Sequence, residues 1–515
     1  MNYQDFLQHT EETGGESKRE RGWSNFHMLS LLLIVVCYLF FIFSPIHDYK
    51  IPNVLLNPLT IVLVGVAAFR YRGRCPWVML PSFGFALWYY CVQAIHGDPY
   101  LLEFRTIHYC MGVVMAMVLF FGTPMMQKPA IREKTATLLA AVIFVFLGLL
   151  AWRGSVGAIL NRPFFSPFTD VALGMMHPGE LRFHLFHLHA NEAAVLFIMA
   201  MICGIYLLAK ARRMLWKGLC LFLLLGLCLM LALTDSRTAF GMFALLAALL
   251  AFLWVWHIPG QVKGRFFAGA VAAVLAGGLA LVTLQTVANW AIQEAYQRQY
   301  ISESGEVAAS EGENPVHGGM GQGFVVAKAV AEEVAVVETA AAEGNIEEQS
   351  LIGSRGMLAE FSTFTGRTGI YMEFFRYLQE YPKVLLWGTG SNAIPEEMNE
   401  RLPERVNHMH NVLLQIVLVT GLPGLLIALC FLGMVGVQTL RLLLARPNKV
   451  VFSQKIWGLF VMVMLLNGLM EAFFFTHNSL ENLMFFFSAG MVMAIAGEAL
   501  PSLSLNALFT KTKRS

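Results

Sequence analysis

The sequence predicts an all-α polytopic membrane protein with about twelve transmembrane helices and a large outer-face loop between spans nine and ten. Three observations carry this reading. Of the 515 residues, 57% are hydrophobic and 14% charged, and the mean hydropathy of +0.59 lies far outside the soluble globular range. Apolar runs long enough to cross a hydrocarbon core of about 30 Å as helices fall near 26–44, 51–69, 76–96, 107–126, 136–152, 191–209, 218–234, 238–256, 266–288, 411–440, 452–475 and 483–500. The basic residues alternate sharply between successive connections.

That alternation sets the orientation, because Lys and Arg near span ends are retained on the cytoplasmic side. One set of connections carries Lys18, Arg19 and Arg21; Arg70, Arg72 and Arg74; Lys128, Arg132 and Lys134; Lys210, Arg212, Arg213 and Lys217; Lys263 and Arg265; Arg441, Arg446, Lys449 and Lys455; and Lys511, Lys513 and Arg514. Together these are 22 of the 36 basic residues. Both termini are therefore expected to be cytoplasmic, in keeping with an even span count. Residues 1–24 are polar and the first apolar run is long enough to stay as an anchor, so no cleavable signal peptide is expected.

The chain divides accordingly. A cytoplasmic tail covers 1–25, spans one to nine cover 26–288 with an outer loop at 153–190, a large outer loop covers 289–409, spans ten to twelve cover 410–500, and a second cytoplasmic tail covers 501–515. Within the large loop, 301–350 holds ten Glu against one Lys and a single aromatic, Phe324. Such a segment buries too little apolar surface to offset its ordering entropy and reads as a low-complexity acidic insertion. The remainder, 351–409, reads as the ordered part. Ile370, Phe374, Tyr377 and Leu378 recur at helical spacing before Pro382 ends the pattern, and this face should pack down onto the membrane domain.

The eight cysteines (Cys37, Cys75, Cys91, Cys110, Cys203, Cys220, Cys228 and Cys430) lie in or beside spans and suggest no disulfide framework. Topology accounts for the basic residues, so the net charge of +2 gives no reason to invoke nucleic acid. No repeated pair of interrupted spans marks the chain as a carrier.

Four outer-face stretches gather polar chemistry. "TDSRTAF" puts Arg237 in the short turn between spans seven and eight. "FTGRTG" puts Arg367 at the start of the loop helix. "HMHN" puts His410 and Asn411 at the N-terminus of span ten, with Gln415 following. "LRFHLFHLHANEAA" puts Arg182, His184, His187, His189 and Asn191 at the entrance to span six. Their common factor is anion recognition. Arginine offers a planar fork of donors suited to phosphate oxygens, and helix starts add unpaired N–H groups and a positive dipole end. At such a start a histidine is favoured as neutral imidazole, able to take a proton.

Each feature has a plainer alternative. Arg237 serves equally as a snorkelling anchor, Arg367 as a partner for Glu373 or Glu380, and His410 as a polar cap. The histidines of 184–189 match no compact zinc spacing. Outer-side Asp-x-Asp is absent from the sequence, and no metal is expected. Glu471, near the outer end of span eleven, is an ionisable group at membrane depth and so a reserve acid or base; the alternative is a hydrogen bond to a neighbour such as Asn467. "GLPG" at 421–424 should bend span ten.

Taken in order, "HANEAA", "TDSRTAF", "FTGRTGIY", "LLWGTG" and "HNVLLQIVLVTGLPGLL" resemble the O-antigen ligase/polymerase superfamily of multi-span, lipid-dependent glycosyltransferases, over roughly residues 180–430. The resemblance implies metal-independent, inverting glycosyl transfer from a polyprenyl-pyrophosphate-linked glycan to an acceptor hydroxyl at the outer face of a bacterial cytoplasmic membrane. It implies no cofactor, a lipid- or glycan-linked acceptor, and membrane lipid as surroundings; oligomeric state stays open. By position, Arg237 and Arg367 match the arginines that hold the pyrophosphate, His410 the histidine at the reacting centre, and Asn191 the asparagine at the span-six entrance. Arg182, Asn191, Asn411 and Gln415 are the expected substrate-binding residues. Two departures are visible: Val419 stands where the family often has Glu, and 301–350 is foreign to the pattern. A polysaccharide polymerase using the same donor stays open, as does, from another class, a flippase or exporter of the lipid-linked glycan.

Overall fold

The computed structural model describes residues 18–41, 58–66, 80–96, 112–160, 164–165, 172–173, 190–258, 262–296, 367–391, 393–402, 405–471, 475 and 479–500. Arg182, His184, His187, His189 and the 301–350 segment lie outside these.

The described helices, in chain order, are α1 (Lys18–Phe41), α2 (58–66), α3 (Leu80–Ile95), α4 (Gly112–Met126), α5 (Pro129–Ile159), α6 (Ala190–Lys210), α7 (Met214–Leu233), α8 (Arg237–His257), α9 (Val262–Tyr296), α10 (Arg367–Glu380), α11 (Pro382–Trp387), α12 (Glu396–Asn399), α13 (Val412–Leu444), α14 (Phe452–Gly468) and α15 (Leu480–Ala499). Against this all-helical background stands one small antiparallel pair, β1 (Phe164–Phe165) and β2 (Ala172–Leu173), with Phe164 opposite Leu173. Among the described residues seven helices are long and apolar enough to cross a membrane: α5, α6, α7, α8, α13, α15, and α9 over Gly264–Ile292. The five other apolar runs of the sequence fall on α1, α2, α3, α4 and α14.

Burial sorts these helices. In α15, 94% of the span window is buried, whereas in α9 only 11% is. Helix α15 is therefore the central element, packed by α4, α13 and α14, while α9 leans on α8 and turns Val274, Leu275 and Leu279 outward. An outward apolar face is stable where hydrocarbon is the solvent. Helices α5, α6 and α7 form a second packed group, joined to the first through contacts of α6 with α14.

Among the described residues, two basic side chains near helix starts are buried and partnered. Buried Arg132 pairs with Glu498 and donates to the Pro124 carbonyl at 3.4 Å. Lys455, fully buried near the start of α14, donates to the carbonyls of Leu443 (2.9 Å) and Ala445 (2.5 Å). A cation there complements the negative C-terminal end of α13.

At the opposite end α10, α11 and α12 fold over the mouth of α13. Ile370, Phe374 and Tyr377 of α10 form a small core with Met398, Met409, Val417 and Leu418, and Leu378 packs against it, so the apolar face read from the sequence does rest on span ten. Charges on these helices pair with one another, with Arg401 bridging Glu380 at 3.0 and 2.7 Å.

Helix α13 is interrupted at Gly421 (φ 69°, ψ −174°), two residues before Pro423. This is the bend expected of "GLPG". An interruption frees carbonyls inside an apolar bundle, where a buried polar group without a partner is costly. Here Thr389 N donates to Leu418 O at 2.7 Å, Gly390 N donates to Val419 O at 3.1 Å, and the Trp88 indole of α3 donates to Thr420 O at 2.8 Å. Gly388 adopts φ 72°, and a Cβ there would lie 2.2 Å from Val419 O; a Cβ at Gly421 would lie 2.4 Å from Leu386 O. The two backbones thus touch through paired glycines. Trp387 stacks on Trp88 with ring centroids 5.9 Å apart, closing the seal from the side.

Candidate functional site

Four elements bring polar groups to one point at the α10 end. Helix α14 ends at Gly468, and Met470 N and Glu471 N both donate to Asn467 O at 2.8 Å. This turn aims the Glu471 side chain inward, where it is 2% exposed. One carboxylate oxygen, Oε1, accepts from Arg367 Nη2 at 2.8 Å and from Asn191 Nδ2 at 3.5 Å. The other, Oε2, lies 2.8 Å from His410 Nδ1.

The buried Glu471 carboxylate is thus balanced by the Arg367 guanidinium on one oxygen and by the His410 imidazole on the other.

Arg367 is the first residue of α10, and its Nη1 rests 3.8 Å from Met470 Sδ. The two carboxylates that loop electrostatics would have given it are engaged elsewhere: Arg376 approaches Glu373 and Glu380, and Arg401 pairs with Glu380. The neighbour suggested for Glu471 takes a different part too. Asn467 meets it through the backbone, and the Asn467 amide finds no hydrogen-bond partner among the described residues.

His410 sits at φ 47°, a left-handed conformation that costs a non-glycine residue about 1–3 kcal/mol. The surroundings enforce it. Tyr371 Oη donates to His410 O at 3.2 Å, His410 N donates to His408 Nδ1 at 3.2 Å, and Met409 N donates to the fully buried Gln415 Oε1 at 2.8 Å. Asn411 caps α13, accepting from Leu413 N (2.9 Å) and Leu414 N (3.2 Å), while its amide donates to Leu469 O at 3.1 Å. The structure therefore engages Asn411 and Gln415, both expected at substrate, in backbone contacts that shape the His410 turn. Replacing Asn411 with Ala is expected to cost about 1–2 kcal/mol, the loss of a good N-cap. Thermal unfolding of the purified protein in detergent would read it.

The α7–α8 turn completes the arrangement. Asp235 takes φ 43°, and Ser236 caps α8 by accepting from Ala239 N at 3.4 Å while donating to Asn191 Oδ1 at 2.8 Å. Arg237 follows as the first, half-buried residue of α8. Ser236 escaped the sequence reading because a serine before an apolar helix is an ordinary cap; its bond across to α6 leaves no mark in the pattern. His408, His410 and Glu471 place one ligand-type atom each within 4.8 Å of one another. In the structure His410 closes on Glu471 by a hydrogen bond, and Arg367 supplies the counter-charge an ion would otherwise give.

The fold and site define a multi-pass helical membrane protein with a buried carboxylate, histidine and arginine cluster at one end of its bundle. Residues 221–429 match the family model described as O-antigen ligase, and this match supports the O-antigen ligase superfamily and, in general terms, a ligase- or polymerase-type function. The matched stretch includes Ser236, Arg237, Arg367, His410, Asn411 and Gln415, while Asn191 and Glu471 lie outside it. No curated protein and no solved structure matches the chain.

Proposed function

We propose that this protein transfers a glycan, with inversion and without a metal, from a polyprenyl-pyrophosphate carrier to a hydroxyl of a lipid- or glycan-linked acceptor. The reaction would take place on the outer face of a bacterial cytoplasmic membrane, with both termini cytoplasmic. The observation that supports this best is the joining of Arg367 and His410 through Glu471 at the starts of α10 and α13. A base and an anion-binding fork are thus held side by side where water meets lipid.

In the reaction the acceptor hydroxyl gives its proton to His410 and its oxygen attacks the anomeric carbon. The bond from that carbon to the phosphate oxygen breaks, and its electron pair leaves with the pyrophosphate. Arg367 and Arg237 stabilise the charge that develops there, a term worth about 3–4 kcal/mol for each well-aimed donor. Imidazolium then releases its proton to solvent. Arg182 is proposed as a further donor-binding residue, and 351–409 as the catalytic part of the loop. A flippase would need polar groups reachable from both sides of the membrane, and the cluster described above stands at one end.

The test is His410→Ala in proteoliposomes carrying a polyprenyl-pyrophosphate glycan and a lipid-linked acceptor. The rate is expected to fall about 10²–10⁴-fold, the usual contribution of general acid–base catalysis. Product at the wild-type rate would sink the assignment. Ligase and polymerase separate on a gel of glycolipids from a knockout strain: long chains left on the carrier point to a ligase, single repeat units on the final acceptor to a polymerase.

A further inference from the structure

We infer that Glu471 is a positioning residue, which together with Asn191 and Ser236 fixes the tautomer of His410 so that Nε2 is the atom that takes the acceptor proton. The inference rests on the proposed glycosyl transfer and assigns a task within it to three residues on α6, α8 and the end of α14.

The bonds run in one direction. Ser236 lends an oxygen lone pair to Ala239 N, so its proton is available and goes to Asn191 Oδ1 at 2.8 Å. With its oxygen so occupied, the Asn191 amide must present its N–H₂ side to Glu471. Glu471 Oε1 then receives two donors, Arg367 and Asn191. That leaves Oε2 facing His410 Nδ1 at 2.8 Å. A carboxylate can only accept, so the imidazole must donate, and the Nδ1 proton is held there. The bare lone pair is left on Nε2. The carboxylate also stabilises the imidazolium that forms when the acceptor hydroxyl loses its proton, without itself taking a proton.

The carboxamide at this position would undo the arrangement. In Glu471→Gln, Arg367 claims the amide oxygen, so the N–H₂ group faces His410 Nδ1. The ring must then accept at Nδ1 and carry its proton on Nε2, which disarms the base.

The experiment compares full-length wild type, Glu471→Gln, Glu471→Asp and His410→Ala for transfer in proteoliposomes, with ¹⁵N-histidine spectra recorded on the first two. For Glu471→Gln, kcat is expected to fall about 10²–10⁴-fold with donor KM changed less than about threefold. The His410 signal should move from the Nδ1-protonated to the Nε2-protonated tautomer. Glu471→Asp keeps an acceptor-only group and should recover at least about tenfold over the carboxamide.

If His410→Ala is inactive while Glu471→Gln stays within about threefold of wild type, the positioning role is overturned and the function stands. A tautomer that stays unchanged in Glu471→Gln overturns the positioning role equally. If His410→Ala is fully active, or wild type forms no product from the lipid-linked donor, the underlying function falls instead. Should Glu471→Gln fail to accumulate in membranes, Ser236→Ala takes its place. That variant removes the neutral bond to Asn191 together with the α8 cap on Ala239 N and is expected to lower kcat about fivefold at constant KM; an unchanged kcat there would overturn the inference.

Discussion

Arg367→Ala is expected to abolish transfer and to destabilise the fold at the same time. Glu471 is 2% exposed and Arg367 20%, so removing the arginine leaves a carboxylate in the protein interior with its cationic partner gone. Breaking a buried pair in this way costs about 3–5 kcal/mol, and the partial exposure of Arg367 puts the expected loss near the lower end. Two effects are thereby superposed, and one further variant separates them. In Arg367→Ala/Glu471→Ala the stranded charge is gone, so thermal stability should largely return while transfer stays absent. Transfer that recovers with stability would mean that Arg367 serves the fold alone. Arg367→Lys should also fall short of wild type, because an ammonium cannot reproduce the planar fork.

Gly388→Ala is expected to release α11 and the residues that follow it from α13. The residue sits at φ 72°, ψ −172°, a region essentially closed to side chains and costing about 1–3 kcal/mol. The new Cβ would stand 2.2 Å from Val419 O and 2.5 Å from Thr420 N. Both are backbone atoms of a buried helix and cannot swing aside. The loop has to move instead, and the bonds from Thr389 N and Gly390 N to the freed carbonyls go with it. Limited proteolysis should cut within 382–391 many times faster in the variant, with loss of transfer. A cleavage pattern like wild type, with full activity, would show that the contact is dispensable.

The helical framework was legible because hydropathy announces a span: among the described residues seven of the twelve apolar runs fall on helices long and apolar enough to cross a membrane, and the other five touch the helices α1, α2, α3, α4 and α14. The break at Gly421 was legible from Gly-x-Pro within such a run. Its partner was not. That Gly388 of "LLWGTG" touches Gly421 depends on how α11 lies across α13. Glu471 could be singled out as an ionisable group at membrane depth, yet its partner Arg367 lies 104 positions away, and the nearer candidate Asn467 proved to contribute its carbonyl. Asn411 and Gln415, expected at substrate, each also accept from backbone N–H groups beside His410, contacts that no sequence pattern announces. Ser236 was hidden by a local role that it also performs.

The seal on α13 also bears on how much extra chain the connection between α9 and α13 can carry. Its two halves, 386–390 and 418–421, are near neighbours in sequence and follow the acidic 301–350 stretch. The ring they close therefore contains none of those fifty residues. Their burden falls on the separate connection from α9 to α10, where closure entropy grows only logarithmically and a doubling of length costs about 0.6 kcal/mol. An insertion upstream of α10 is thus nearly free of thermodynamic consequence, whereas one between 391 and 410 would lengthen the ring that holds Gly388 against Gly421.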